Sequence, residues 1–513
     1  LRKKRIAIIG AGHNGLIAAC YLAEKGHTVH VYEKRHVLGG CASTEAVIIP
    51  KVGGFKISPA AYVVSLLDLE IVNHLKLKEN GLRIIPRDPI SFTPDLDGPG
   101  LFFDSVGNNI NEYDQMDSNI YNTYEKTLTQ IAEIIEPFLR MSQKMNWRNG
   151  FRSFRLLKNI LSTPYAIECF TGSATSFLDR WFVSDILKAT LASDAIIGLF
   201  GSPSHPGSAY VLLHHVMGNV CGKRGSWGYV HGGMGRLSEI LAEIFRSIGS
   251  HNTILSSTPI EQILVKNNKV IGVLTEDGKI LHYDAVASSI SYHVTFKKLL
   301  IDTEIPTSFS NSIDSIDYSS GSAKINLCLD RLPSFAEKNG IPGTIHLCPS
   351  IEYIERAYFD AAVNKKISER PIIEITIPSK VDISLAPSGK HVMGMFIQYV
   401  PLCFPNTEEN RELLFDICMK EVEKYSPGFR NLILHKQVLL PKDLEETYGL
   451  TGGNIFQGSM SLSNLGPLRP AFGWADHRTP VKGMYMCGAA THPGGGVMGL
   501  PGRNAALKML KDL

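Results

Sequence analysis

Gly10-Ala-Gly12-His-Asn14-Gly15 follows the apolar run Ile6-Ala-Ile-Ile9 and precedes an apolar stretch over 16–25. In that order a strand feeds a tight turn and then a helix. Gly10 permits the turn, Gly12 lets the backbone approach a pyrophosphate, and Gly15 lets helix and strand pack closely. A diphosphate there would rest on the positive helix N-terminus. A second strand over 28–33 ends on Glu33, with 17 residues between it and Gly15. A carboxylate at that place accepts the adenosine ribose hydroxyls. Strand, glycine turn, helix, strand and acid in sequence point to a dinucleotide, and this fingerprint leaves NAD and FAD both open.

Lys34, Arg35, Gly39 and Gly40 come directly after the acid. A basic residue and a Gly pair there resemble the extension of FAD enzymes of the glutathione-reductase type, in which the Gly pair runs beside the flavin's own phosphate and ribityl arm. Near the other end, Gly483-Met-Tyr-Met-Cys487-Gly488 reads as a strand entering a loop that contains His492, Gly494, Gly495, Gly496, Val497, Met498 and Gly499. A helix follows from near Gly502. Backbone amides in such a loop can hold a phosphate and face the electron-rich edge of a reduced flavin. The segment resembles the closing motif of the phytoene (carotenoid) desaturase-like FAD oxidoreductases. Arg469-Pro470, Gly473-Trp-Ala-Asp476, Arg478-Thr-Pro480 and the stretches 227–235 and 284–289 are similar to that family too. The resemblance runs from Ile6 to Ala506 and is thin over 100–220 and 330–440.

That resemblance implies non-covalent FAD held by Gly10, Gly12, Asn14, Gly15, Glu33, Lys34, Arg35, Gly39, Gly40, Gly488, Gly496, Val497 and Met498. It also implies removal of hydride from a C–H bond of a small, apolar substrate, with electrons leaving to oxygen or a quinone. The same fold hosts C–N oxidation, so flavin amine oxidation is the runner-up, and an FAD-stabilised scaffold that binds a protein partner is the reading from another class.

The elements that must position these residues are scattered. Dinucleotide-type features appear at the N-terminus, over 230–290 and at the C-terminus. The middle group consists of a helix over 233–248, strands over 253–255 and 260–266, a hairpin turning near Asp277-Gly278 and a buried strand over 283–288. Helix-rich (115–220) and strand-rich (320–400) segments lie between them. The expected fold is α/β, with a discontinuous Rossmann-like FAD-binding domain of the glutathione-reductase type (1–95, 225–300 and 445–513) and an inserted α+β substrate domain (96–224 and 301–444).

Composition excludes several classes. Lys and Arg number 52 against 49 Asp and Glu, a net +3 that gives no basis for a nucleic-acid partner. Nine cysteines occur with no two within four residues, which argues against a metal ribbon, a dithiol pair or a disulfide scaffold. A disulfide reductase needs two close cysteines beside its flavin, and Cys41 has no neighbour in sequence; a second complete GxGxxG unit for NADH is also missing. No metal is expected. No apolar run reaches the length of a membrane span. Arg2-Lys-Lys-Arg5 leads straight into a strand, which leaves no stretch for a signal peptide, while a start at Leu1 leaves an upstream segment open. The expected location is the cytoplasm of a bacterium or the mitochondrial matrix of a eukaryote; the oligomeric state is unknown.

His231, His492 and Arg503 are the candidates for chemistry beside the flavin: the histidines stand in Gly-rich loops and titrate near neutrality, and the arginine opens a helix. For each the plainer reading is a loop or helix residue tied to backbone. Arg140, Lys144, Arg148, Arg152, Arg155 and Lys158 share a stretch with no acid between Glu136 and Glu168. Trp147, Phe151, Phe154, Leu157 and Leu161 accompany them. Such a basic amphipathic segment over 147–161 is either a peripheral membrane contact or a solvated face with its apolar side in the core.

Overall fold

The computed structural model describes residues 3–104, 107–141, 147–335 and 343–513, with the side chains of 147–154 outside the description. The strand Arg5–Ile9 is the centre of a five-stranded parallel sheet whose order is Thr253–Leu255, Thr28–Tyr32, Arg5–Ile9, Ala285–Ser288 and Met484–Met486. Three distant parts of the chain thus meet in one sheet. The central strands, Ile6–Ile9 and Ala285–Ser288, are buried throughout because both faces are covered. Ile6, Ile8, Val29 and Val31 pack toward the helices His13–Glu24, Gly235–Ile248 and Leu500–Asp512, while Ala7, Ile9, Tyr32 and Val286 pack against an antiparallel sheet of Ile260–Lys266, Lys269–Thr275 and Ile280–His282. The first helix starts three residues earlier than its apolar stretch suggests. Gly12 is the residue before it, and its carbonyl already accepts the Leu16 N–H at 3.0 Å. The last helix likewise begins at Leu500, after Gly499 at φ +76°, with Pro501 in its first turn.

The second sheet has seven strands in the order Ile433–Leu439, Ser322–Leu329, His391–Gln398, Ile372–Thr376, Thr344–Leu347, Ser91–Thr93 and Leu101–Phe103. Strand alternation sorts its two faces. Ala323, Ile325, Leu327, Ile345, Ile373, Ile375, Met395 and Ile397 form a core with Leu414, Cys418, Met419 and Val422 of the helix Glu408–Tyr425. The opposite face carries Ser322, Lys324, Asn326, Thr344, His346, Glu374, Thr376 and Gln398, all of them buried.

Two expected domain breaks shift. Ser91–Thr93 pairs with Thr344–Leu347, so the first segment leaves the cofactor domain before residue 91. Phe309 and Ile313 of the helix Thr307–Asp314 share a core with Ile9 and Tyr292, so the break expected at 300 falls after that helix.

Candidate active site

The glycine loop separates positions closed by the protein from one left open. A Cβ on Gly15 would lie 2.2 Å from the Gly10 carbonyl oxygen, and one on Gly10 would lie 2.4 Å from Ser289 Oγ. Gly39, at φ +107°, abuts the Ala42 carbonyl and donates its N–H to Ala11 O at 2.9 Å, so the Gly39-Gly40 segment runs alongside the loop. At Gly12 a Cβ would meet nothing nearer than 3.8 Å, and the residue faces a cavity of about 1190 Å³. Space over the start of a helix that the protein does not fill itself is what a diphosphate requires.

Gly10, Gly12, Asn14, Glu33, Lys34, Arg35, Gly39 and Gly40 all border that cavity, joined from the C-terminal loop by Gly496 and Val497. Glu33 is buried; its Oε2 accepts the Ala11 N–H and its Oε1 the Arg35 N–H, each at 2.9 Å. Those bonds fix the carboxylate and leave lone pairs for ribose hydroxyls. Asn14 Oδ1 is buried without a partner. Arg35 pairs with Glu45, and its guanidinium lies 4.7 Å from the centre of the Tyr448 ring. An open helix start, an orphaned acceptor and a fixed carboxylate fit the adenosine diphosphate half of FAD.

Gly15, Gly488 and Met498 stand behind this surface. A Cβ on Gly488 would come within 2.1 Å of the Ser289 carbonyl oxygen, and the Met498 carbonyl accepts the Asp68 N–H at 3.1 Å. The three candidates for chemistry also lie off the cavity wall, which corrects the expectation that they face the flavin. His492 turns back to the Phe138 carbonyl, 3.2 Å from its Nε2. His231 is nearly half exposed, 3.7 Å from Asp382. Arg503 donates to Glu70 at 2.5 Å and to Asn504 at 3.2 Å, and so ties elements together.

Burial pushes His492 and His214 down to about 3 and His477 to about 4. These imidazoles stay neutral when folded, whereas in the unfolded chain they take up protons near their ordinary value. Their contribution is therefore complete above about pH 7 and is lost as pH falls toward the folded values. The melting temperature should drop from pH 7.5 to pH 5 in calorimetry. A flat profile would show that these rings are not held neutral.

The far wall of the cavity is the polar face of the seven-stranded sheet. Lys324, Glu374, His346 and Phe396 border it, with Arg87, Asp194 and Tyr62 reaching in from outside the sheet. Burial pushes Lys324 down to about 7, and its ammonium lies 4.1 Å from the Tyr62 ring centre. Burial first, and then the charge of Asp194, pushes Glu374 up to about 8. His346, with Nδ1 3.2 Å from Ser193 Oγ, is driven down to about 3 by burial. Sequence reasoning passed over this group. The available signal was one ionisable residue inside each of three otherwise apolar or small-residue strands, in Ser-Ala-Lys324-Ile, Ile-Ile-Glu374-Ile and Thr-Ile-His346-Leu. Among the described residues no group of three or more His, Cys, Asp or Glu could hold a metal ion.

Comparison with known proteins agrees with this geometry. An NAD(P)-binding Rossmann-like domain matches residues 8–66, and the family described as flavin containing amine oxidoreductase matches 108–502. The Rattus norvegicus pyridine nucleotide-disulfide oxidoreductase domain-containing protein 2 is 38% identical over 99% of this chain and 93% of its own length. The zeta-carotene-forming phytoene desaturase of Myxococcus xanthus is a distant homologue, 24% identical over 96% of this chain and 91% of its own. Cyclohexylamine oxidase from Brevibacterium oxydans shares the fold, with a TM-score of 0.61 at 16% identity over 99% of this chain and 97% of that one. The cofactor is FAD and the class is oxidoreductase. With a Rossmann-like loop, a desaturase-like C-terminal segment and a match across most of its length, the chain belongs to the flavin-containing amine oxidoreductase family.

Proposed function

We propose that the protein removes hydride from a C–H bond of a small substrate with an apolar body and passes the electrons to oxygen or a quinone. FAD, when bound, supplies the hydride acceptor. The observation that carries this reading is one continuous cavity that borders both the Gly12 loop and the polar sheet face and is lined as well by apolar groups such as Ile197, Leu212, Val216 and Phe456. The chain's own residues then bind the cofactor's diphosphate, enclose the apolar body and orient the polar end. Anaerobic mixing with a panel of apolar, hydroxylated and amine substrates tests it. Bleaching of the flavin by amines alone would favour C–N oxidation, and bleaching by none would favour a scaffold.

NADH and NADPH should not bleach the flavin on a catalytic timescale, because the sequence has a single complete dinucleotide fingerprint. Disulfide exchange is disfavoured as well, since burial pushes the Cys41 thiol up to about 12 and deprives it of thiolate. Cys41→Ser should leave flavin reduction by the true substrate intact. Rapid bleaching by NADH, or lipoamide turnover lost in Cys41→Ser, would reverse the assignment.

We further propose a peripheral contact with anionic membranes through the helix Trp147–Ser162. Leu157 and Leu161 are 52% and 61% exposed there, beside exposed Arg155 and Lys158. Arg140 does not join them, since its Nε is held by Asp68 at 2.8 Å. Lys144 lies outside the described residues, as do the side chains of Trp147, Arg148, Phe151, Arg152 and Phe154. Among the described residues no helix is long and apolar enough to cross a membrane. Co-sedimentation with anionic liposomes should weaken with salt and disappear in Leu157→Glu/Leu161→Glu, with the flavin spectrum unchanged. Wild type remaining in the supernatant at low salt would end the idea.

A further inference from the structure

Exposed residues border the cavity at two places built from different elements. The first is the nucleotide end, where Lys34, Glu276, Lys298 and Glu446 form the rim. Thr258 on that side donates its N–H to the Glu33 carbonyl at 2.9 Å, and the Arg35 guanidinium lies against the Tyr448 ring. This rim therefore adjoins the surface that fits the adenosine diphosphate half of FAD. The second mouth lies in the helical part of the substrate domain, where Asn122, Glu125 and Lys223 are exposed and border the cavity. Asn122 and Glu125 belong to the helix Gln115–Leu139, and Lys223 to a hairpin of the strands Asn219–Val220 and Lys223–Arg224. Tyr121, Tyr124, Leu128 and Val216 also line the cavity, with the two tyrosine rings 6.1 Å apart. Walls of this kind suit the passage of an apolar body.

Resting on the oxidoreductase reading above, we propose that the substrate enters by this second mouth, and that the hairpin 219–224 is its movable side, latched to the helix Gln115–Leu139 by the Arg224–Glu136 ion pair. FAD fits the nucleotide end, which leaves the helical mouth as the way in. Arg224 reaches the two carboxylate oxygens of Glu136 with both terminal nitrogens, one of the bonds at 3.3 Å. Among the described residues no other hydrogen bond or ion pair joins the hairpin to that helix. The base of the hairpin is fixed: the Asn219 N–H bonds the Ser65 carbonyl and the Val220 N–H bonds Ser226 Oγ, each at 3.1 Å. Its tip is not. Each strand has only two residues, and Cys221 and Gly222 between them are exposed, at φ +53° and +86°. A fixed base and a tip held by one half-exposed ion pair give a segment that opens at low cost, as a lid must.

Reoxidation of the reduced flavin tests the route without a known substrate. The full-length FAD-loaded protein is photoreduced anaerobically and mixed in a stopped-flow instrument with menadione, an apolar bicyclic quinone, or with oxygen. Two electrons and two protons pass from the reduced flavin to either oxidant, giving the hydroquinone or hydrogen peroxide. Thr129 and Asn122 both border the cavity from the helix. Thr129→Trp and Asn122→Trp set a bulky ring at the mouth and should slow menadione by about tenfold or more, with the oxygen rate within about twofold of wild type. Glu136→Gln and Arg224→Gln cut the latch and should speed menadione by about two- to fivefold, the weight of one exposed ion pair, again without moving oxygen. Oxygen is the control for the flavin itself, since an altered potential or seating of the cofactor would move both oxidants together. No reaction of wild type with menadione, a menadione rate indifferent to both tryptophan variants, or equal shifts for both oxidants would overturn the route. A menadione rate unchanged in both latch variants would overturn the gate and leave a fixed mouth. Reduction here comes from light, so failure of the substrate panel to bleach the flavin leaves this experiment standing, and rejection of the route leaves the bleaching result untouched.

Discussion

Gly12→Val is expected to yield a folded protein that carries no FAD. The apoprotein tolerates the change because a Cβ at Gly12 meets nothing within 3.8 Å, and Gly12 is in an extended conformation (φ −67°, ψ 163°) open to any residue. The branched methyls instead enter the space over the helix start, where the diphosphate must lie against backbone N–H groups. Gly15→Val differs in kind. Its Cβ would overlap the Gly10 carbonyl at 2.2 Å, so that variant should fail to fold. Glu33→Ala removes ribose hydrogen bonds without adding bulk and should weaken FAD by about 10–100-fold, with some loss of stability because the carboxylate also braces the Ala11 and Arg35 N–H groups. The measurements are visible flavin absorbance after reconstitution and the rise in melting temperature with added FAD. Wild type and Glu33→Ala should show that rise, since a ligand that binds only the native state stabilises it, and Gly12→Val should not. Stoichiometric flavin in Gly12→Val would sink the assignment of this loop.

The contrast among these glycines explains how far the sequence could be read. A glycine turn between strand and helix is a local backbone requirement, so Gly10, Gly12, Gly15 and the acid at Glu33 announce themselves by type and spacing. The ionisable row of Lys324, Glu374 and His346 does not, because it exists only through the pairing register of separate strands, and a one-residue slip would turn each side chain into the apolar core. The C-terminal loop was legible in part. Its Gly496-Val497 end reaches the cavity, but His492, a few residues earlier on the same loop, points back to the Phe138 carbonyl. Composition identifies such a loop without saying which of its sides each residue takes.

Arg469→Ala should be strongly destabilising, among the largest losses expected from removing a side chain in this architecture. Arg469 is fully buried, and among the described residues its charge has no acid as partner. Four carbonyl oxygens surround it instead: Phe456 at 2.7 Å, Ala489 at 2.8 Å, Gly458 at 3.2 Å and Asn464 at 3.3 Å. Burial lowers the guanidinium to about 10, which leaves it ionised at neutral pH. The bonds join the 456–464 segment to Ala489, and Phe456 and Ala489 both border the cavity, so one side chain holds two parts of its wall together. Truncation strands the carbonyls and opens a void, at a cost of about 3–5 kcal/mol. Arg469→Lys keeps the charge but replaces a planar fork by a single nitrogen with three donors, which cannot reach four spread acceptors. Denaturant unfolding of the apoprotein separates this role from that of Gly12: Arg469→Ala and, less severely, Arg469→Lys should lower stability without any cofactor present, and Gly12→Val should not. Excess FAD should restore part of the stability of Arg469→Lys, because the nucleotide loop is intact and binding pulls the wall closed by mass action. Wild-type-like unfolding of Arg469→Ala would mean that the carbonyls find water once the guanidinium is gone, and that the wall is held by its glycine-rich backbone alone.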